Sequence, residues 1–182
     1  MSFKVRKAVV SDAVEMAYTK MNAFKESYSE HFPAEYIERS TDFEEMYFAY
    51  QKAIIQSRDE MYVVIYNNVM VGMFTVKDCT DEDYSEKASE ISDMYFLPAY
   101  WNKGYGKRTF RYVRKAVKSA KHEYAVVWVP KINTRAKYYF EVCGFEADGK
   151  SRINKPTEDF SYEEIRMIRR EELKAKPKTS EI

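Results

Sequence analysis

The sequence predicts a mixed α/β protein, and three observations carry that prediction. Segments alternating apolar and polar residues are interleaved with segments of helical period, in the order β-α-α-β-β-β-α-β-α-β-β. One run, Tyr124–Val129, is apolar throughout, as in a central strand covered on both faces. No internal repeat or Gly/Pro-rich linker divides the chain, so residues 1–170 are expected to form one domain. The charged remainder, 171–182, reads as a disordered tail.

Taken in order, residues 3–9 alternate and read as a first strand. Asp12 and Glu15 have capping-box spacing at the start of a helix that runs to about Tyr28. Residues 29–40 read as a loop with a short helical turn. Asp42 caps a second helix, 43–57, with Met46, Tyr47, Tyr50 and Ile54 on one face. Two strands, 61–66 and 69–77, meet at Asn67–Asn68, a pair that tolerates the positive φ of a tight hairpin. An acidic surface loop, 78–87, leads to a strand over 89–97. A basic amphipathic helix spans 104–121. After the Tyr124–Val129 strand come a helix over 133–142, Gly144 as its cap, and strands over 145–150 and 160–170.

The balance of 30 basic against 29 acidic residues provides no broad positive field, which argues against a nucleic-acid partner. No apolar run is long enough to cross a membrane, and the N-terminus lacks the apolar core of a signal peptide, so a cytoplasmic protein is expected. Two cysteines, Cys79 and Cys143, make neither a disulfide framework nor a zinc motif, and no metal is expected. Sixteen tyrosines and eleven phenylalanines against five glycines indicate an aromatic core or cleft.

The chemistry concentrates in residues 89–110. A strand ends at Leu97–Pro98, a loop follows, and Gly104–Tyr105–Gly106 opens a helix. Strand, glycine loop and helix N-terminus together suit an anion, because the first helical amides lack partners and the dipole favours negative charge. The loop is not a P-loop, since Trp101 stands at the first glycine position and Arg108 where Ser or Thr belongs. It is not a dinucleotide fingerprint either, since Thr109 replaces the third glycine.

With Asn133, Ala136, Gly144 and Phe145 added, the chain over 3–170 resembles the GNAT acetyltransferase superfamily. Two motifs carry the likeness. The first is the acyl-CoA loop [QR]-x-x-G-x-[GA], matched by residues 101–106 with Trp101 at the Gln/Arg position. The second is N-x-x-A-x-x-x-Y-x-x-x-G-F, matched with Phe140 at the tyrosine position. The resemblance implies a mainly antiparallel sheet in which strands four and five splay apart to hold acetyl-CoA. Its pantetheine arm would lie along Met94, Tyr95 and Phe96, with Asn133 and Phe140 beside it. Its diphosphate would meet the segment Trp101, Asn102, Lys103, Gly104, Tyr105, Gly106, Lys107 and Arg108.

The implied reaction is acetyl transfer from acetyl-CoA to a primary amine, by direct attack in a ternary complex. The alternative is an acyl-CoA-binding module with little or no transferase activity. A bulge in strand four would aim the amide of Phe96 or Tyr95 at the thioester carbonyl. Glu90 and Asp93 are that strand's carboxylates, on opposite faces unless a bulge intervenes, and the resemblance favours Glu90 as base. With Phe140 lacking a hydroxyl, Tyr139 is the candidate general acid, provided its helix is turned to suit. The acceptor, a small-molecule or peptide amine, would meet Glu26, Tyr28 and Tyr36, with His31 nearby. A second copy of the chain is a candidate partner.

Overall fold

The computed structural model describes residues 2–85 and 87–171. Seven strands form a single sheet. They are β1 (Phe3–Lys7), β2 (Glu60–Tyr66), β3 (Val69–Asp78), β4 (Ala88–Phe96), β5 (Tyr124–Pro130), β6 (Glu146–Asn154) and β7 (Tyr162–Arg170). Their order is β1-β2-β3-β4-β5-β7-β6. Every pairing is antiparallel except β4 with β5, which are joined by a helical crossover and run parallel. The helices are α1 (Ala13–Tyr28), α2 (Ala34–Ser40), α3 (Phe43–Gln56), α4 (Tyr105–Ser119) and α5 (Thr134–Val142).

Helices cover both faces. On one, Phe110, Val113 and Val117 of α4 and Phe140 of α5 pack on Val71, Phe74, Val127 and Val129 of the sheet. On the other, Ala13, Met16 and Ala17 of α1, with Met46 and Tyr50 of α3, pack on Val63 and Met73. β5 is covered on both faces, by α4 and α5 over Val127 and Val129 and by Cys79 and Tyr84 over Val126, which explains why it reads as an uninterrupted apolar run. A third cluster is aromatic: Phe24, Tyr28 and Phe32, with Tyr36, Phe160 and Tyr162 around them, joins α1 and α2 to the start of β7.

Local chemistry explains several element ends. Asp42 accepts the Glu45 N–H at 2.8 Å and so caps α3. Asn67 and Asn68 both take positive φ, 47° and 65°, at the β2–β3 hairpin. Gly144, with φ of 84°, ends α5.

Four expectations are corrected. Residues 34–40 form α2, begun at Pro33, whose fixed φ suits a helix start. Asp12 and Glu15 make no capping box. The Asp12 carboxylate accepts from Arg6 at 2.6 and 2.8 Å and from the Val9 amide at 2.8 Å, closing a short turn before α1. The last two strands start later and β6 runs on to Asn154. Glu171, the only described residue of the predicted tail, is buried, its carboxylate gathered by Arg114, Lys118 and Arg169. The remainder of that tail lies outside the described residues.

Candidate active site

The site begins where β4 and β5 part. Their pairing covers only Ala88–Glu90 against Tyr124–Val126, although β4 continues to Phe96 and β5 to Pro130. The expected splay is therefore present, and a cleft of about 550 Å³ opens between the strand ends. Its floor is β4 from Ile91 to Phe96. One wall is the loop at 100–107, another is α5, and the far side is made by α1 and β7.

The splay coincides with a bulge. Met73 pairs with Tyr95 and Thr75 with Ser92, so Asp93 and Met94 together oppose Phe74. Asp93 takes φ of 47°, the left-handed conformation that lets the extra residue fit. The Leu97 N–H donates to the Val71 carbonyl, so the polar groups of Leu97 face β3. By alternation those of Tyr95 face β3 too, and those of Phe96 face the open side. Consistent with this, the Phe96 carbonyl accepts the Trp101 indole N–H at 2.7 Å. Of the two expected carbonyl-polarising amides, Phe96 is oriented toward the cleft and Tyr95 is not.

At the helix end, two glycines serve different needs. Gly104 has φ of 80°, and a side chain there would touch nothing, so only its backbone conformation calls for glycine. At Gly106 a Cβ would stand 2.7 Å from the Tyr139 ring, whose hydroxyl donates to the Gly106 carbonyl at 3.1 Å. Among the described residues no side chain caps α4, so its first amides remain for a ligand. A cleft ending on an uncapped helix N-terminus fits a long ligand that carries a phosphate group. Asn102, Tyr105 and Lys107 line it.

Other expected residues stand elsewhere. Arg108 turns away and lies over the Phe3 ring at 4.1 Å, and Lys103 leans over Tyr100 at 5.8 Å. Neither lines the cleft. Glu90 is 8% exposed, pairs with Lys77 at 3.1 Å, and lies where β4 and β5 are still zipped together, outside the cleft. Asp93 lines the cleft and pairs with Lys20 of α1 at 3.1 Å. Glu26 is exposed. The cleft face of α1 carries Ala23, Phe24, Ser27 and Tyr28, and Glu26 falls about 100° off that stripe. Tyr36 sits behind the cleft wall in the aromatic cluster, and His31 is exposed.

Asn133 caps α5, its Oδ1 accepting from the Ala136 N–H at 2.9 Å, while its Nδ2 donates to the Tyr28 hydroxyl at 2.8 Å. Burial pushes the Tyr28 phenol up to about 12, more than the Asn133 bond lowers it. Burial likewise holds the Tyr139 phenol well above the ordinary range, with the Cys143 thiol adding to the effect. Phe140 is 4% exposed and packs edge-on against Phe145 and Tyr139.

Among the residues of the cleft that sequence reasoning did not assign are three from α5 and β7. Arg135 lines it from α5, with its guanidinium 3.8 Å over the Trp101 ring. Glu164 and Tyr162 line it from β7. The Glu164 carboxylate is buried and accepts from Arg152 at 2.7 Å. The available signal for Glu164 was its period-two spacing with Arg166 and Tyr162 along an alternating strand.

A sheet whose parallel neighbours part in front of a helix N-terminus defines a class: an α/β protein that takes a ligand across its strand ends. The chain belongs to the acetyltransferase (GNAT) family, whose model matches residues 21–145. Its fold is similar to that of the PaiA N-acetyltransferase from Thermoplasma acidophilum in complex with coenzyme A. That likeness has a TM-score of 0.73 at 18% identity, over 94% of this chain and 100% of the other. YncA from Salmonella typhimurium, with its cofactor acetyl-CoA, gives a TM-score of 0.71 at 16% identity, over 98% and 99%. The ribosomal-protein-alanine N-acetyltransferase from Brucella melitensis gives 0.70 at 15% identity, over 92% and 99%. No curated protein sequence matches the chain. Among the described residues, no helix is long and apolar enough to cross a membrane. No group of three or more His, Cys, Asp or Glu side chains is arranged there to hold a metal ion.

Proposed function

We propose that this acetyltransferase moves the acetyl group of acetyl-CoA onto a primary amine of a small molecule or peptide, by direct attack in a ternary complex. The observation that carries the reading is the cleft itself. The bulged β4 forms its floor, the uncapped start of α4 closes one end, and a wall of α1 and β7 closes the other. Acetyl-CoA supplies an activated carbonyl on a good leaving group. The residues have only to hold it, polarise it and take a proton from the amine.

The Phe96 N–H, on the open side of β4, is placed to donate to the carbonyl oxygen as it gains charge. Asp93 is the carboxylate of the bulge and lines the cleft, so it is our candidate for the group that binds the amine and takes its proton. Its carboxylate pairs with Lys20 at 3.1 Å. For the departing sulfur, Tyr139 of α5, which lines the cleft, is our candidate proton donor. Its hydroxyl is already engaged with the Gly106 carbonyl, and burial keeps its proton on.

That engagement, with Phe140 packed where a hydroxyl would be expected, favours a second reading: a module that holds acyl-CoA and transfers slowly or not at all. A thiol-release assay with acetyl-CoA over a panel of small amines, peptides and protein N-termini separates the two. Amine-dependent release supports the transferase. Tight acetyl-CoA binding without release on any acceptor supports the module and overturns the first reading.

A further inference from the structure

The cleft has a cation whose role neither the motif match nor the reaction assigns. Trp101 is fixed at the end of β4 by its indole N–H, which donates to the Phe96 carbonyl at 2.7 Å. Arg135 comes from the opposite lip, in the first turn of α5, and lays its guanidinium over that indole, 3.8 Å from the ring centre. Stacking uses the face of a guanidinium and leaves its N–H edge available, which is the edge that pairs with phosphate oxygens. Among the described residues Arg135 has no carboxylate partner, although it is exposed and lines the cleft.

The remaining cations near the helix start make this more pointed. Arg108 lies on Phe3, and Lys103 leans over Tyr100. Among the described residues that line the cleft, the cations are Lys107 and Arg135. Trp101, at the loop position where a side-chain donor would be expected, directs its single N–H into β4 instead.

We infer that Arg135, held on the Trp101 ring, is a phosphate-binding residue: its guanidinium edge pairs with the diphosphate of acetyl-CoA. The indole thus acts as a platform that carries a cation from α5 to the loop after β4, replacing a donor built into that loop. A guanidinium offers two parallel N–H groups to a phosphate, which an ammonium does not. The inference rests on the acetyl-CoA reading above, and the experiment must keep the two apart.

Isothermal titration of the purified protein with coenzyme A and, separately, with pantetheine does so. Pantetheine keeps the thiol arm and lacks every phosphate. In Arg135→Gln the Kd for coenzyme A should rise about tenfold, the equivalent of one charge-assisted hydrogen bond. The Kd for pantetheine should stay within about twofold of wild type, and Arg135→Lys should fall between the two for coenzyme A. An unchanged coenzyme A affinity in Arg135→Gln overturns the inference and leaves the acetyl-CoA reading standing. Equal losses for both ligands overturn it too, because the effect would then not lie in the phosphates. Failure of the wild-type protein to bind coenzyme A would overturn both.

Discussion

The side-chain amide of Asn133 donates to the Tyr28 hydroxyl at 2.8 Å and so ties the start of α5 to the end of α1. The two residues stand on opposite sides of the cleft and both are among its lining. The same Asn133 side chain caps α5 through its Oδ1. One residue therefore sets both the helix entry and the distance between the two walls.

Substitutions at this pair should separate those roles. Tyr28→Phe removes one partly buried hydrogen bond and should cost about 1 kcal/mol. Asn133→Ala loses that bond and the cap together, about 2 kcal/mol. In a double-mutant cycle read by urea unfolding, the coupling should be about 1 kcal/mol. Strict additivity would show that the bond does not hold the walls together.

The two glycines of the loop should behave differently although only one residue separates them. Gly104→Ala should cost about 1 kcal/mol of stability by backbone strain alone, since its Cβ would meet nothing. Gly106→Ala would drive a methyl into the Tyr139 ring, costing about 1–3 kcal/mol by overpacking. Adding Tyr139→Leu should recover part of the Gly106→Ala loss and none of the Gly104→Ala loss. Equal behaviour of the two alanines in the Tyr139→Leu background would refute the assignment.

The pattern of what was legible follows from how local each cause is. The Asn67–Asn68 hairpin could be read because positive φ restricts residue type at the position itself. The apolar run of β5 announced a strand buried on both faces, and it carries one side of the splay. The bulge at Asp93 left no such mark, because Asp tolerates left-handed φ without demanding it. That displacement decided which carboxylate reaches the cleft. Arg108 looked like a phosphate ligand from its neighbours, yet Phe3, more than a hundred residues earlier in the chain, holds it. Glu171 sits in a charged stretch that reads as solvated, and only the sheet brings Arg114 and Arg169 to it. Arg135 needed Trp101 from the far lip to become conspicuous.

Acid should expose the turn before α1. Burial pushes the Asp12 carboxyl up, but hydrogen bonds from Arg6 and the Val9 amide outweigh it, and the group ends below its ordinary 3.8. A carboxylate depressed in the folded state stabilises it above its unfolded value, and that stabilisation fades as pH falls through the folded value. Asp12→Asn should therefore be less stable than wild type by about 1–2 kcal/mol at neutral pH. The gap should close progressively below pH 3.8. Thermal unfolding of both proteins across that range checks this. A gap independent of pH would mean the carboxylate's charge contributes nothing.

The choice between Glu90 and Asp93 can be put to the same kind of test on the reaction. Glu90 is buried beside Lys77, which compensates its charge, and does not line the cleft, so an acceptor amine bound in the cleft does not meet it. Asp93 is three positions further along and opens on the cleft because of its bulge. If a carboxylate takes the amine proton from the β4 floor, Asp93→Asn should lower kcat/KM about 100-fold and remove the acidic limb of the pH–rate profile. Glu90→Gln should leave that profile in place and act mainly on stability, because it strips Lys77 of a largely buried partner. A profile that Asp93→Asn leaves intact, with Glu90→Gln flattening it, would return the proton to Glu90 and require the surroundings of Glu90 and Lys77 to open to the cleft.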